Sequence, residues 1–166
     1  MVDQYSYRWH VLYVRARTEK RIAALCKARN LPTDLPLRQE TKIRKGRKIK
    51  VEQPVFPGYV FAALNHAARD ELFRTGNLLR VMEPTNTETM LRELHQVHKA
   101  LSADPSLRRC TMLTRGTEVR ITTGPFMGVE GKVFSLKGRT RVRLNVEMIG
   151  QAVEVTVDKD LLELID

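Results

Sequence analysis

Apolar positions recur along this chain in two periods, and the switches between them mark out its elements. In WHVLYVRA, Trp9, Val11 and Tyr13 fall on one face and His10, Leu12 and Val14 on the other. Both faces are substantially apolar, which predicts an inner strand packed on two sides. A helix follows: Thr18 offers an N-cap, Glu19 complements the dipole in the first turn, and Ile22, Leu25, Cys26 and the stem of Arg29 mark its buried side. It is expected to end near Asn30, ahead of Pro32. TDLPLRQE reads as extended, with Pro36 suggesting an edge, and TKIRKGRKIKVEQPV as a hairpin that reverses at Lys45-Gly46. GYVFAAL is the next strand, NHAARDELFRT a helix capped by Asn65 with Ala68, Leu72 and Phe73 on its apolar side, and LLRVME a further strand. TETMLRELHQVHKALSA returns to the helical period through Met90, Leu91, Leu94, Val97, His98 and Leu101. Helices interleaved with a small sheet predict an α+β, ferredoxin-like sandwich.

From Arg115 the helical period disappears until the last few residues. EVRIT, EGKVFS, RTRVRLNV and QAVEVTV alternate as strands punctuated by glycines, the pattern of a small closed or partly open β-barrel. Arg139, Arg141 and Arg143 share one face of their strand, with Val142, Leu144 and Val146 on the other. A solvated outer face is the default for that row, with RNA contact as the sharper alternative. The polar stretch DPSLRRCT offers a connection. The expected division is a domain over 1–103, a linker over 104–114 and a barrel over 115–166.

Charge changes this picture more than composition does. The chain has 166 residues and a net charge of +10, and residues 1–50 hold 14 bases against 4 acids, so the whole excess lies there. KIRKGRKIK, at 42–50, has six bases and no acid. A basic patch this localised is the footprint of a protein that approaches phosphate backbones, through Arg44, Lys45, Arg47 and Lys48 on the predicted arm. No apolar run has the roughly 18 residues of a membrane span, and Tyr5, Tyr7 and Arg8 interrupt the N-terminus where a signal peptide needs its apolar stretch. A cytoplasmic protein without membrane association is expected.

Candidate chemistry is sparse. There is no GxSxG, P-loop, GxGxxG after a strand or HExxH, and Asp70-Glu71 face different directions on a helix. Cys26 and Cys110 lack CxxC spacing, and His95 with His98 lacks a third ligand, so neither cofactor, metal nor enzymatic activity is expected. The aromatics are another matter: seven of ten lie in two short stretches, Tyr5, Tyr7, Trp9 and Tyr13 in one and Phe56, Tyr59 and Phe61 in the other. In QPVFPGYVFAAL, Pro57 and Gly58 interrupt a strand-like run where a ladder donor is lost. Placed ahead of the strand they bend the chain, letting Phe56 and Tyr59 present to one side and form an apolar patch with Trp9. GPFMGVEGKV, at 124–133, reads as a turn with Phe126 near its apex, an aromatic suited either to the barrel core or to a partner.

Two of these stretches together resemble one family. RGTEVRITTGPFMGVEGKV resembles the KOW motif, and WHVLYVRARTEKRIAALC followed by VFPGYVFAAL resembles the N-terminal domain of the NusG transcription factors, in the right order over nearly the whole chain. The resemblance implies a monomeric elongation and antitermination factor with a NusG-like α/β sandwich, a mostly antiparallel sheet and an SH3-like KOW barrel. Its N-terminal domain would grip the clamp helices of bacterial RNA polymerase through Trp9, Phe56, Tyr59 and Phe61. Upstream DNA and the non-template strand would pass the basic arm. The barrel would recruit a ribosomal small-subunit protein or the termination factor Rho through Leu113 and Phe126. The short N-terminus and cationic arm lean towards an operon-specific antiterminator of the RfaH or UpxY kind over a housekeeping factor. NHAARDELFRTG is too compact to match the DNA-reading loop of RfaH, so no base-reading residue is carried over. A KOW-bearing RNA-binding ribosomal or assembly protein is the alternative of another class.

Overall fold

A computed structural model describes residues 6–165; Tyr5 lies outside them. The chain divides into two compact units. One takes the chain up to Leu35 together with Phe56–Thr87, the other Pro36–Val55 together with the chain from Glu88 onward. The division differs from the expected boundary after residue 103, because the arm and the third helix group with the C-terminal strands.

The first unit is built on an antiparallel sheet in the order β2, β5, β1, β6, formed by Thr33–Asp34, Tyr59–Leu64, Arg8–Val14 and Leu78–Met82. β1 and β5 run opposite each other with Val11 against Phe61 and Tyr13 against Tyr59. Because side chains alternate, Leu12, Val14, Val60, Ala62 and Leu64 share one face. There they form a buried core with Ile22, Ala23 and Cys26 of α1 (Glu19–Ala28) and Ala68 and Leu72 of α2 (His66–Arg74). Val11, Phe61 and Ala63, on the opposite face, are also buried, as the two apolar faces of β1 predict for that strand.

Asn65 caps α2 as expected, its side chain accepting a hydrogen bond from Ala68 N at 2.9 Å. Thr18 does not cap α1 through its side chain. Its hydroxyl instead donates to the Arg15 carbonyl at 2.6 Å, closing the tight turn in which Arg17 takes φ 66°. Arg29, expected to lay its stem on the core, is exposed and pairs with Glu71. Phe73 is exposed too, beneath the guanidinium of Arg69.

In the second unit, β3 (Leu37–Arg44) and β4 (Arg47–Pro54) form the predicted two-stranded arm. Lys45 and Gly46 both have positive φ, 50° and 76°, the signature of a two-residue hairpin turn that follows the strands' twist. The arm is fixed at its base: Gln39 N donates to the Pro105 carbonyl, and Arg38 donates to the carbonyls of Ser106 and Leu107.

The C-terminal strands are Arg109–Thr111 (β7), Thr117–Ile121 (β8), Glu130–Leu136 (β9), Arg139–Val146 (β10), Gln151–Val157 (β11) and Leu162–Leu164 (β12). They make one antiparallel sheet in the order β12, β8, β9, β10, β11, β7. Of the closed or partly open barrel expected, closure is not seen: β7 and β12 are three-residue edge strands that pair only with β11 and β8, leaving the sheet open. These strands also correct two local expectations, since β7 falls within the stretch read as linker and the chain's last residues form a 3-10 turn and β12 rather than a helix. Val119, Ile121, Val142, Leu144, Val146, Val153 and Val155 line one buried side of the sheet, and Ala152 is buried on the other.

α3 (Thr87–Ala103) spans the predicted residues and buries Met90, Leu94, Val97, Ala100 and Leu101. Two of its polar residues hold backbone of the C-terminal sheet: Gln96 accepts from Glu130 N at 2.9 Å and Glu93 from Glu147 N at 3.3 Å. Both border a cavity of about 300 Å³. Burial pushes the Glu93 carboxyl up to about 7; Glu147 and Glu118 add to the effect, while the Glu147 N–H and Arg92 oppose it. A carboxyl raised above its ordinary value near 4.5 contributes its full stability below that value, and loses it as pH rises towards about 7. Glu93→Gln is therefore expected to melt with wild type at pH 4 and above it at pH 8, the gap opening across that window. A gap independent of pH would show that the carboxyl is not strained by burial.

Candidate functional site

The stretch VFPGYV is a turn followed by a strand. Tyr59 N donates to the Phe56 carbonyl at 3.2 Å, with Pro57 and Gly58 as the two central residues and Gly58 at φ 90°. Proline at the first central position and a positive-φ glycine at the second are what a type II turn requires. β5 begins only at Tyr59, so the proline costs the ladder nothing. Two further bonds fix the turn: the Gly58 carbonyl accepts from Val14 N at 2.8 Å, and Gly58 N donates to the Glu19 carboxylate at 3.4 Å. Glu19, read from the sequence as a first-turn charge, is buried and reaches across from α1 to hold this turn.

The turn sorts the predicted aromatics into two groups. Tyr59 is half-buried and its ring lies 5.3 Å from that of Tyr13, itself 40% exposed. Trp9 is partly buried on the same face of β1, and Arg80, opposite Tyr13 on β6, is exposed. Phe56 and Phe61 are 1% and 0% exposed, which corrects the expectation that they present to a partner. Phe61 sits mid-strand on a strand paired on both sides, whereas Tyr59, on the same face, stands at the strand's first position beside the turn. The tyrosine that joins the exposed group is Tyr13, whose same-face spacing with Trp9 was the signal available in the sequence. A Cβ on Gly58 would come within 3.2 Å of the Tyr13 ring, so the glycine also makes room for the tyrosine pair.

On the arm, Arg44, Lys45, Arg47 and Lys48 are all exposed. Ile43, 72% exposed, stands directly across from Lys48. The arginine row of β10 differs. Arg141 and Arg143 bond the Glu154 carboxylate at 2.6 and 3.1 Å, and Arg143 lies 4.6 Å over the Phe134 ring. These charges are spent within the sheet, which removes much of the support for RNA contact there.

In GPFMG, Gly124 and Gly128 have φ 90° and 87° and the turn closes through Gly128 N to the Ile121 carbonyl at 2.8 Å. Phe126 is partly buried within it, and Met127, not singled out in the sequence, is the side chain that projects, 66% exposed. Leu113 is partly buried in a separate connection, where Asn145 brackets its backbone, accepting from its N–H at 3.1 Å and donating to its carbonyl at 2.7 Å.

Comparison with known proteins fits this arrangement. Residues 7–108 match the family model described as transcription termination factor nusG. The transcription termination/antitermination protein NusG of Rickettsia prowazekii is 25% identical over 91% of this chain and 86% of its own length. Its namesake in Treponema pallidum is 23% identical over 90% and 94%, and that of Vibrio cholerae 26% over 80% and 76%. Among solved structures, one described as domain interaction in Thermotoga maritima NusG covers 99% of this chain and all of its own, with a TM-score of 0.52 at 16% identity, a likeness of fold. The chain belongs to the NusG family of transcription termination and antitermination factors. Among the described residues no helix is long and apolar enough to cross a membrane.

Proposed function

We propose that this protein is an elongation and antitermination factor that binds the clamp helices of RNA polymerase through the partly exposed aromatics of its first sheet. The observation that carries the reading is the Tyr13–Tyr59 pair, partly exposed beside the Gly58 turn on the sheet face that also carries Trp9. Large aromatics that are partly exposed and rigidly backed are good anchors for a partner. Phe56 and Phe61 support them from within. By holding the clamp the factor suppresses pausing or termination, and the basic arm lies near DNA. The C-terminal sheet serves as a KOW-type module, separate from the clamp-binding unit. It recruits a ribosomal small-subunit protein or Rho through Met127, Phe126 and Leu113. The concentration of charge on the arm favours service to particular operons over a housekeeping role. Tyr59→Ala and Tyr13→Ala are expected to weaken polymerase binding at least about tenfold each, the loss of a buried interface aromatic costing roughly 1–2 kcal/mol or more, with only a small shift in thermal unfolding. Pull-down and terminator-readthrough assays check this, and wild-type binding by the double variant would refute it.

A further inference from the structure

The arm carries its charge in an arrangement that specifies a shape for the ligand. Strand register places Lys42, Arg44, Arg47 and Ile49 on one face and Thr41, Ile43, Lys48 and Lys50 on the other, with Lys45 at the turn. From Ile43 to Lys48 every residue is exposed, and none of Arg44, Lys45, Arg47 and Lys48 forms an ion pair with a described residue. A flat anionic surface would neutralise one face and leave the other uncompensated. A slot with phosphates along both walls neutralises both.

B-form DNA offers that slot. Its major groove is about 12 Å wide and admits a two-stranded β-ribbon, whose strands are about 4.8 Å apart. The major groove of A-form RNA is too deep and narrow for side chains to read, and a single strand supplies one row of phosphates. Ile43 adds a second requirement, because an apolar side chain held 72% exposed among lysines contributes nothing to phosphate binding. In a groove it meets the one apolar group on the base edges, the thymine methyl. We propose that the β3–β4 arm inserts into the major groove of duplex DNA, its two charged faces on opposite phosphate walls and Ile43 against thymine methyls. The inference deepens the nucleic-acid reading of the arm given above.

The test uses the full chain without polymerase, titrated into a labelled DNA duplex, the matching single strand and an RNA duplex. The DNA duplex is expected to bind at least about tenfold more tightly than either competitor, with log K falling by about 0.9 per phosphate neutralised against log salt. Lys48→Gln with Lys50→Gln should reduce that slope by about two. Ile43→Ser should weaken binding roughly fourfold, the worth of about one buried methylene, leave the slope unchanged, and have no effect on a duplex in which uracil replaces thymine. Equal or tighter binding to single strand or RNA duplex overturns the proposal, as does an Ile43→Ser effect that persists on the uracil duplex. Because polymerase is absent, failure here leaves the clamp reading standing, and loss of polymerase binding with duplex binding intact would sink the clamp reading alone.

Discussion

Phe61→Ala is expected to destabilise the first unit by about 3–5 kcal/mol, the range for emptying a buried phenylalanine site. The side chain is fully buried, on a strand hydrogen-bonded on both sides, so neighbours cannot collapse into the space without breaking sheet register. Tyr59→Ala, two residues earlier on the same face, removes a partly exposed ring and should cost far less stability. The pair of variants separates two roles that the motif confounds: Phe61 holds the sheet and Tyr59 meets the partner. Denaturant unfolding followed by far-UV circular dichroism measures the difference, with Phe61→Ala shifting the midpoint strongly and Tyr59→Ala little. Equal shifts would mean that the sheet does not shelter Phe61.

That confounding shows how far the sequence could be read. Period and capping placed α1, α2, α3, the arm and the long C-terminal strands closely, because those signals are local: Asn65 before an apolar helical period, or Lys45-Gly46 between alternating runs. Depth is not local. Trp9, Phe56, Tyr59 and Phe61 look alike as clustered aromatics, and which of them faces water depends on where the turn ends and on strands elsewhere in the chain. Pro57-Gly58 announced the turn but not that β5 would start at Tyr59 and carry Phe61 inward. Glu19 is a similar case, since its partner Gly58 lies 39 residues away and nothing near Glu19 indicates a buried carboxylate.

The C-terminal strands were legible one by one, but their closure was not. Alternation predicts each strand, whereas barrel or open sheet depends on whether the first and last strands pair. Here those are three-residue segments, β7 and β12, too short to carry a pattern of their own. Likewise the Arg139, Arg141 and Arg143 row reads as a solvated basic face until the register sets Arg143 opposite Glu154. A charge row becomes informative only once its cross-strand neighbour is known. The arm is the opposite case, since its strands pair only with each other and charge read from sequence stays exposed in the fold.

Gly131→Ala is expected to be among the most damaging single changes in the C-terminal sheet. Gly131 is the second residue of β9 and has no positive φ, so conformational freedom is not what it supplies. A Cβ there would stand 2.4 Å from the Arg143 carbonyl oxygen and under 3 Å from Leu144 and Val142 side-chain carbons. The first of these is backbone in the middle of β10, which is paired to β9 and β11 and cannot move without disturbing both ladders. Overpacking ordinarily costs about 1–3 kcal/mol and occasionally more; an immovable carbonyl puts this site at or above the top of that range. Gly138→Ala, at the β9–β10 turn with φ 74° and open space around it, supplies the comparison, limited to the backbone strain of about 1–2 kcal/mol. Hydrogen exchange of the β9 and β10 amides reads the effect directly: protection should collapse in Gly131→Ala and persist in Gly138→Ala. Retained protection in Gly131→Ala would show that β9 and β10 can separate at this point without loss of the sheet.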